Sequence, residues 1–347
     1  MKVAIRADSS QTIGTGHVVR CLTLARLLRA RGAEVMFLCR TDPGNLCDLI
    51  EANGIPVARL PSATEILANE ADAEAVLLAL RRHAFEADLL AVDHYRLDER
   101  WERRLRTVVK KILVLDDLAD RRHDCDVLLD PSLHDSPSTR YRNLLADEAR
   151  VFVGPEYALL RPEFDMVKPR LRNTAVANLL VFFGGADVTN EALKVVQALR
   201  ELQARIQCTN IVLGPISPHL DEVKQAASGA NGIEVMGATS EMAALMDQAD
   251  LSLGTCGGAA WERCVLGLPA LVVVSAENQR DDARILHSIG AVRNLGDAAD
   301  MTPGTWRHAL EKMLNNPETL AAMSIQARRV MERREEAARA FEGALFP

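Results

Sequence analysis

The sequence predicts two α/β domains, each with a parallel β-sheet covered by helices. Strand-like and helix-like segments alternate along the chain, an order that builds parallel sheets. A strand, a glycine-containing turn and a helix follow one another twice, at 3–31 and at 177–202. Strands such as ADLLAVD and KKILVLDD are continuous apolar runs that end in acids, as expected where helices cover both sheet faces. The pattern indicates two Rossmann-like domains.

The composition narrows the class of protein. The chain has 347 residues, enough for two domains with separate cores, and a net charge of −7. It has no basic tract, and three Trp and three Tyr leave few rings for stacking on bases, so we expect no nucleic-acid partner. Arg6 and Asp8 lie where a signal peptide would need an uninterrupted apolar core, and no apolar run reaches membrane-spanning length. We therefore expect a cytoplasmic protein without a membrane partner.

The cysteines and histidines indicate neither disulfides nor a metal site. Seven cysteines are scattered along the chain without C-x-x-C pairs, a pattern typical of reduced thiols in a core. The histidines and acids also lack metal-ligand spacing. We expect no metal and no cofactor.

The first glycine turn, in residues 5–20 (IRADSSQTIGTGHVVR), is a candidate ligand site. Gly14 and Gly16 let the backbone approach a ligand, and the helix start that follows offers free N–H groups to an anion. His17 lies on the first helical turn, where the positive helix end favours the neutral imidazole that acts as a base. The turn matches neither the dinucleotide fingerprint nor the P-loop, and similar turns occur where no chemistry takes place. On spacing alone, both interpretations of His17 remain open.

The first half continues the alternation. We predict strands over 34–38, 56–60, 87–93, 111–115 and 127–130, and helices over 18–31, 65–83 and 99–108. Ligands of open α/β sheets bind at the carboxyl ends of strands, where Asp93, His94 and Tyr95 end one strand and Asp116 and Asp117 end another. Tyr95 is a candidate for substrate binding because a ring at a strand end packs on a sugar. Asp116 and Asp117 are more readily explained as caps or turn residues.

A proline-rich crossover separates the two halves. Residues 151–173 contain VGPEYALLRPEF and VKPRLRN, with prolines and mixed charges. We therefore predict an N-terminal domain over 1–170 and a C-terminal domain over 171–347. A long helical pattern over 317–345 ends the chain, and its apolar residues predict that it packs back on the body rather than forming a free tail.

The second half begins with another glycine turn. We predict strands over 177–183, 209–213, 233–236, 251–253 and 271–274, and helices over 190–202, 219–227 and 240–248. Gly184, Gly185 and Asp187 follow the first of these strands, and Met236 ends the third. These four residues are candidates for substrate binding.

The segment GTCGGAAWERCVLGLP (254–269) is a further candidate site. Gly257 and Gly258 let backbone amides crowd around an anion at the start of a helix whose fourth residue is Glu262. A carboxylate at that place reaches the hydroxyls of a ribose, although it would also stabilise the helix start by about 0.3–1 kcal/mol. Asn278 and Gln279, after the next strand, complete the predicted binding residues.

Seven segments carry a family resemblance: RADSSQTIGTGHVVRCLTLA, VDHY, LDDLADR, YALLRPEF, FFGGAD, GGAAWERCVLGLP and ENQ. In that order they resemble the nucleotide-sugar hydrolases of pseudaminic acid biosynthesis, which release UDP from UDP-2,4-diacetamido-2,4,6-trideoxy-β-L-altropyranose. The resemblance implies a GT-B fold, with a nucleotide-sugar substrate in the cleft between two Rossmann-like domains. It also implies that His17 activates water and that Gly257, Gly258 and Glu262 contact the diphosphate and the ribose. Ala259 stands where related transferases often have a hydroxyl residue.

The implied chemistry is consistent with these residue types. Backbone amides stabilise a departing UDP without a metal, and a general base such as His17 contributes about 10²- to 10⁴-fold in rate. Attack by water from the opposite side inverts the anomeric carbon. A GT-B glycosyltransferase with a UDP-sugar donor, a related nucleotide-sugar hydrolase or epimerase, and a non-catalytic sensor remain alternatives, because the fold does not determine the reaction.

Overall fold

The computed structural model describes residues 1–62, 68–173, 175–202 and 206–346. It divides the chain into two compact units, one made of Met1–Leu159 with Glu335–Pro347 and the other of Leu160–Arg334. The division falls after Leu159 rather than after residue 170. Phe164 accounts for part of this difference, because its side chain is buried in the core of the second unit.

The first unit is built on a seven-stranded parallel sheet. Its strands are β1 (Lys2–Ala7), β2 (Glu34–Arg40), β3 (Val57–Leu60), β4 (Leu89–Asp93), β5 (Lys111–Leu115), β6 (Val127–Asp130) and β7 (Arg150–Val153). They pair in the order β3-β2-β1-β4-β5-β6-β7. The connecting helices are α1 (Gly16–Ala30), α2 (Cys47–Ala52), α3 (Asn69–Arg82) and α4 (Glu99–Leu105). The inner strands β1, β4, β5 and β6 are almost wholly buried because helices cover both faces of the sheet.

The second unit repeats this plan with six parallel strands. They are β8 (Asn178–Phe182), β9 (Cys208–Val212), β10 (Ile233–Met236), β11 (Leu251–Thr255), β12 (Ala270–Val274) and β13 (Val292–Asp297), in the order β10-β9-β8-β11-β12-β13. The helices are α5 (Glu191–Arg200), α6 (Leu220–Ala227), α7 (Met242–Gln248), α8 (Ala259–Val265), α9 (Arg280–Ser288), α10 (Pro303–Leu314) and α11 (Pro317–Val330). The predicted α/β class and the two parallel sheets are confirmed.

Both sheets reverse their strand order at one point. The order reverses between β1 and β4 in the first unit and between β8 and β11 in the second. The loops after two such strands turn to opposite sides of the sheet, which leaves a crevice at the carboxyl edge where ligands of doubly wound folds bind. Each predicted glycine turn follows one of these four strands.

The predicted elements that differ from the structure lie at sheet edges and at the chain end. The sequence predicted neither β7 nor β13, because both are edge strands whose polar or exposed residues hide the apolar pattern. Helices α2, α9 and α10 were also missed. The predicted helix over 65–83 is observed as α3, and residues 65–67 lie outside the described residues.

The helical pattern over 317–345 forms two helices rather than one. It divides into α11 and a last helix, α12 (Arg334–Leu345). The hydroxyl of Ser324 in α11 donates to the carbonyl of Gly267 at 2.7 Å, within the second unit. In α12, the ring of Phe341 packs on Phe152 of the first unit with the centroids 5.5 Å apart. The end of the chain therefore belongs to the first unit, although the sequence assigned it to the C-terminal domain.

Every helix among the described residues is too short or too polar to span a membrane. All seven cysteines are free thiols, and Cys208 alone among them is only half-buried.

Candidate active site

The loop between β1 and α1 places His17 at the carboxyl edge of the first sheet. Ser10 and Gly14 close the loop through two backbone hydrogen bonds, of 3.3 and 2.8 Å. Gly14 has φ of +83°, a left-handed conformation that glycine adopts without strain. Helix α1 begins at Gly16, so His17 lies on its first turn, with a side chain that is 6% exposed.

His17 is paired with an aspartate at the end of β4. Its Nδ1 lies 2.5 Å from Oδ1 of Asp93, and the edge of its ring contacts Tyr95 with the centroids 4.4 Å apart. A proton on Nδ1 shared with Asp93 leaves Nε2 with a lone pair. Within the described part of the chain, Nε2 has no hydrogen-bond partner. This arrangement is that of a carboxylate that orients a general base.

Arg20 holds Asp93 in place from the next turn of α1. Its Nε and Nη2 donate to the two carboxyl oxygens of Asp93 at 2.8 and 2.7 Å, and its Nη1 lies 3.2 Å from Asp117. The thiol of Cys21 also approaches Asp93, at 3.7 Å. Burial by itself would raise the pKa of Asp93, but the charge of Arg20 and the hydrogen bonds from His17 and Arg20 outweigh burial and hold that pKa well below its usual range. Asp93 is therefore ionised at neutral pH.

The sequence reasoning did not include Asp93 among the site residues. It named Asp93 only as an acid at the end of a strand, because a pairing between residues 76 positions apart leaves no local pattern in the sequence. The available signal was the reversal of strand order, which brings the loop after β1 beside the end of β4. Asp116 accepts a hydrogen bond from the N–H of Ala119 at 2.9 Å, the turn role that the sequence favoured.

In the second unit, the glycine turn after β8 meets the ends of two neighbouring strands. Gly184 has φ of +87°, and a Cβ atom placed on it would lie 4.0 Å from the hydroxyl of Thr255 at the end of β11. Gly185 approaches the loop after β9 so closely that a Cβ atom on Gly214 would overlap with its Cα. The structure therefore brings these predicted glycines to the crevice at the carboxyl edge.

Asp187 caps a helix. Its two carboxyl oxygens accept hydrogen bonds from the N–H groups of Glu191 and Ala192 at 2.8 and 3.0 Å, at the start of α5. Burial raises the pKa of this carboxyl group. Both oxygens already have partners, so the described structure explains Asp187 without a substrate. A contact with substrate remains a prediction.

The turn after β11 carries the predicted phosphate and ribose residues. Gly257 is half-buried and Gly258 is exposed, immediately before α8. The first N–H groups of a helix have no acceptor within the helix. Glu262, on the first turn of α8, accepts a hydrogen bond from Nε of Arg161 at 2.9 Å. Burial raises the pKa of Glu262, and the charge of Arg161 opposes this effect. The sequence reasoning did not include Arg161.

The remaining predicted residues differ in their surroundings. A Cβ atom on Gly257 would lie 3.7 Å from Nε2 of Gln279, so the structure brings these two residues together. The Oε1 of Gln279 accepts from the N–H and the hydroxyl of Ser275, both at 3.2 Å. Asn278 is exposed beside it. Met236, at the end of β10, is partly buried and packs against the core of the second unit.

Other histidines of the first unit are paired with buried carboxylates. His123 Nδ1 lies 2.6 Å from Glu102, and His134 Nε2 lies 3.2 Å from Asp130. Over the described ranges, no group of three or more His, Cys, Asp or Glu side chains is arranged to hold a metal ion.

Comparisons with known proteins define the class of this fold. Residues 178–340 match the family described as the Glycosyltransferase family 28 C-terminal domain. MurG of Acinetobacter baumannii superposes with a TM-score of 0.63, at 17% identity and over 99% of both chains. The rhamnosyltransferase SpnG superposes with a TM-score of 0.62, at 15% identity and also over 99% of both chains. The chain has the GT-B fold.

Two curated relatives make the likeness more specific. The chain is 28% identical to the UDP-2,4-diacetamido-2,4,6-trideoxy-β-L-altropyranose hydrolase of Campylobacter jejuni, over 84% of this chain and 97% of the hydrolase. It is 25% identical to the spore coat polysaccharide biosynthesis protein SpsG of Bacillus subtilis, over 85% of this chain and 84% of SpsG. The resemblance to the hydrolase is confirmed, and together with the family 28 match these relatives support an enzyme of the nucleotide-sugar class. An uncharacterized Methanocaldococcus jannaschii protein, MJ1062, is 28% identical, and the match spans only 57% of its length.

Proposed function

We propose that this protein hydrolyses a UDP-linked diacetamido-trideoxy sugar, UDP-2,4-diacetamido-2,4,6-trideoxy-β-L-altropyranose, to UDP and the free sugar. The reaction would be a step of pseudaminic acid biosynthesis. The observation that carries the proposal is the hydrogen-bonded pair of His17 and Asp93, 2.5 Å apart at the point where the first sheet reverses its strand order. Similarity to the Campylobacter hydrolase supports the choice of substrate.

In this mechanism His17 is the general base. Its Nε2 takes a proton from water as the water oxygen forms a bond to the anomeric carbon. The bond between that carbon and the diphosphate oxygen breaks, and its electron pair leaves with UDP. Asp93 holds the proton on Nδ1 and stabilises the imidazolium that forms. Attack opposite the leaving group inverts the anomeric carbon.

The second unit would bind the nucleotide. The backbone amides around Gly257 and Gly258 suit a diphosphate, and they stabilise the charge that develops on departing UDP. Glu262 suits the ribose hydroxyls, because Arg161 occupies only one of its carboxyl oxygens among the described residues. Gly184, Gly185 and Gln279 border the same edge of the sheet. Tyr95, beside His17, would pack on the sugar.

Glycosyl transfer is the second candidate function. The family 28 match and the likeness to MurG favour it, and in that case a hydroxyl acceptor would replace water at His17. Release of UDP without any acceptor separates the two candidates. Purified protein incubated with the UDP-sugar alone should release many equivalents of UDP per protein molecule. If turnover required an added hydroxyl acceptor, the protein would be a transferase.

Isotope labelling tests which bond breaks. In ¹⁸O-labelled water, we expect the label on C1 of the released sugar and inversion of the anomeric configuration in the first product. Mass spectrometry of the two products measures the position of the label, and early NMR spectra measure the configuration. Label in phosphate, with a sugar phosphate and UMP as products, would overturn the mechanism.

A further inference from the structure

Arg263 is a buried arginine with which no carboxylate of the described residues forms an ion pair. Its side chain lies in α8 against the end of β11 and is 1% exposed. Its Nη2 donates to the carbonyl oxygen of Thr255 at 2.5 Å. Within the described ranges, its Nε and Nη1 are buried without a hydrogen-bond partner, and no carboxylate forms an ion pair with it. The neighbouring Glu262 is instead paired with Arg161.

A second buried arginine of the same unit shows the usual arrangement. Arg172 is also 1% exposed, and its guanidinium donates to several backbone carbonyls, including those of Met246 at 3.0 Å and Ala249 at 3.3 Å. Buried polar groups in proteins nearly always find such partners, because an unsatisfied group loses its hydration without compensation. Arg263 departs from this arrangement, and its two nitrogens without a hydrogen-bond partner require a reason.

The lack of a side chain at Gly254 leaves space for this guanidinium. Gly254, in β11, lies directly against it, and a Cβ atom there would come within 2.8 Å of Nη1 of Arg263 and 2.5 Å of the carbonyl of Phe182. Any other residue at this position would displace the guanidinium or the neighbouring strand. The guanidinium therefore lies at the end of β11, against Gly254 and the carbonyl of Thr255, immediately before the turn that the proposed function assigns to the diphosphate.

We propose that Arg263 is a positioning residue for the diphosphate. The negative charge of the bound diphosphate balances the positive charge of Arg263, which forms no ion pair with a carboxylate among the described residues. The inference rests on the proposed function and adds a residue to it. The guanidinium acts through the turn: it orients the carbonyl of Thr255, and its charge raises the affinity of the turn for an anion. Water screens this charge less than it screens a surface charge, because the Arg263 side chain is buried. Burial lowers the pKa of Arg263, in keeping with an unneutralised cation.

The test compares stability with affinity in Arg263→Met and in the matched control Arg172→Met. Thermal melting measures the stability of each unliganded protein, and calorimetry measures the affinity for UDP and for uridine. We expect Arg263→Met to melt no lower than the wild type, because a buried unpaired charge is replaced by an apolar chain of similar length. Its affinity for UDP should fall at least about tenfold, with uridine binding unchanged. Arg172→Met should melt lower and keep its UDP affinity.

Arg263→Lys is the second variant, because it retains the charge. Its affinity for UDP should lie closer to the wild type than that of Arg263→Met, by a factor of at least about three. An Arg263→Met protein that melts lower and binds UDP normally would overturn the inference, as would an equal loss of affinity for UDP and for uridine. If Arg263→Met does not fold, Arg263→Lys decides by the same comparison of UDP with uridine. Wild-type protein that binds no UDP would instead overturn the proposed function together with this inference.

Discussion

Replacement of Asp93 by Asn should disable His17 while leaving the shape of the site almost unchanged. Asp93 accepts hydrogen bonds from His17 and from two nitrogens of Arg20. An asparagine must place its NH₂ group where one carboxyl oxygen stood. In one orientation the NH₂ group faces Nδ1 of His17 and Nη2 of Arg20, and in the other it faces Nε of Arg20. In both orientations an N–H group of the asparagine amide faces an N–H group of His17 or Arg20, so a hydrogen bond is lost.

The expected fall in kcat follows from the loss of the carboxylate that accepts the hydrogen bond from His17. If the amide NH₂ faces Nδ1, the imidazole proton moves to Nε2, and the base has no lone pair for water. If the amide oxygen faces Nδ1, a neutral acceptor replaces the carboxylate that stabilised the imidazolium. General-base catalysis contributes about 10²- to 10⁴-fold in rate, and we expect Asp93→Asn to lower kcat by about 10²- to 10³-fold. This loss corresponds to about 2.7–4 kcal/mol in the activation free energy.

The assay is the release of UDP, measured as kcat together with the affinity for UDP. UDP affinity should not change, because the proposed nucleotide contacts lie in the second unit. His17→Ala should lose at least about 100-fold, and the double variant should lose no more than the worse single variant, because the two residues act as one unit. Asp130→Asn is the matched control: Asp130 is also a buried aspartate at a strand end, paired with Arg140 at 3.0 Å. If the two single losses multiply, or if Asp93→Asn retains a third of wild-type kcat, the assignment is wrong.

Three further results are expected. Glu262→Ala should weaken UDP binding about tenfold by calorimetry, as for a charged hydrogen bond to ribose, and unchanged affinity would leave Glu262 as a helix-start residue paired with Arg161. UDP release should persist in EDTA, because the proposed phosphate contacts are backbone amides, and activity that returns only with Mg²⁺ or Mn²⁺ would contradict this. Burial opposes ionisation of Asp72, but Arg6 and Arg40, both 2.7 Å away, hold its pKa below the ordinary value. Because the pKa of Asp72 is lower in the folded state than the value of about 3.9 in the unfolded state, ionised Asp72 stabilises the fold at pH values above about 3.9. This stabilisation is lost as the pH falls from there toward the pKa of the folded state. Urea unfolding should therefore show Asp72→Asn less stable than the wild type by about 3 kcal/mol or more at pH 7, with a smaller gap at pH 3.

Local patterns in the sequence were sufficient for the fold class and for part of the site. Apolar strands, helical periods and glycine turns are read from neighbouring residues, because each depends on backbone geometry over a few positions. The strand β5 (Lys111–Leu115) was predicted with its observed bounds, and Gly257 and Gly258 were found at the start of α8. Elements without such local patterns, such as the edge strands β7 and β13, were missed.

The partners of the site residues were decided only by the tertiary structure. The sequence pointed to His17 by its glycine turn, but Asp93 became its partner only when β1 and β4 paired as neighbours across the reversal of strand order. Arg263 has no local feature that distinguishes it from other helical arginines, and its unpaired guanidinium arises from the close packing of α8 on Gly254. The sequence determined where strands and turns would form, since these depend on adjacent residues. Which side chains meet depends on the order of strands in the sheet, and only the folded chain determines that order.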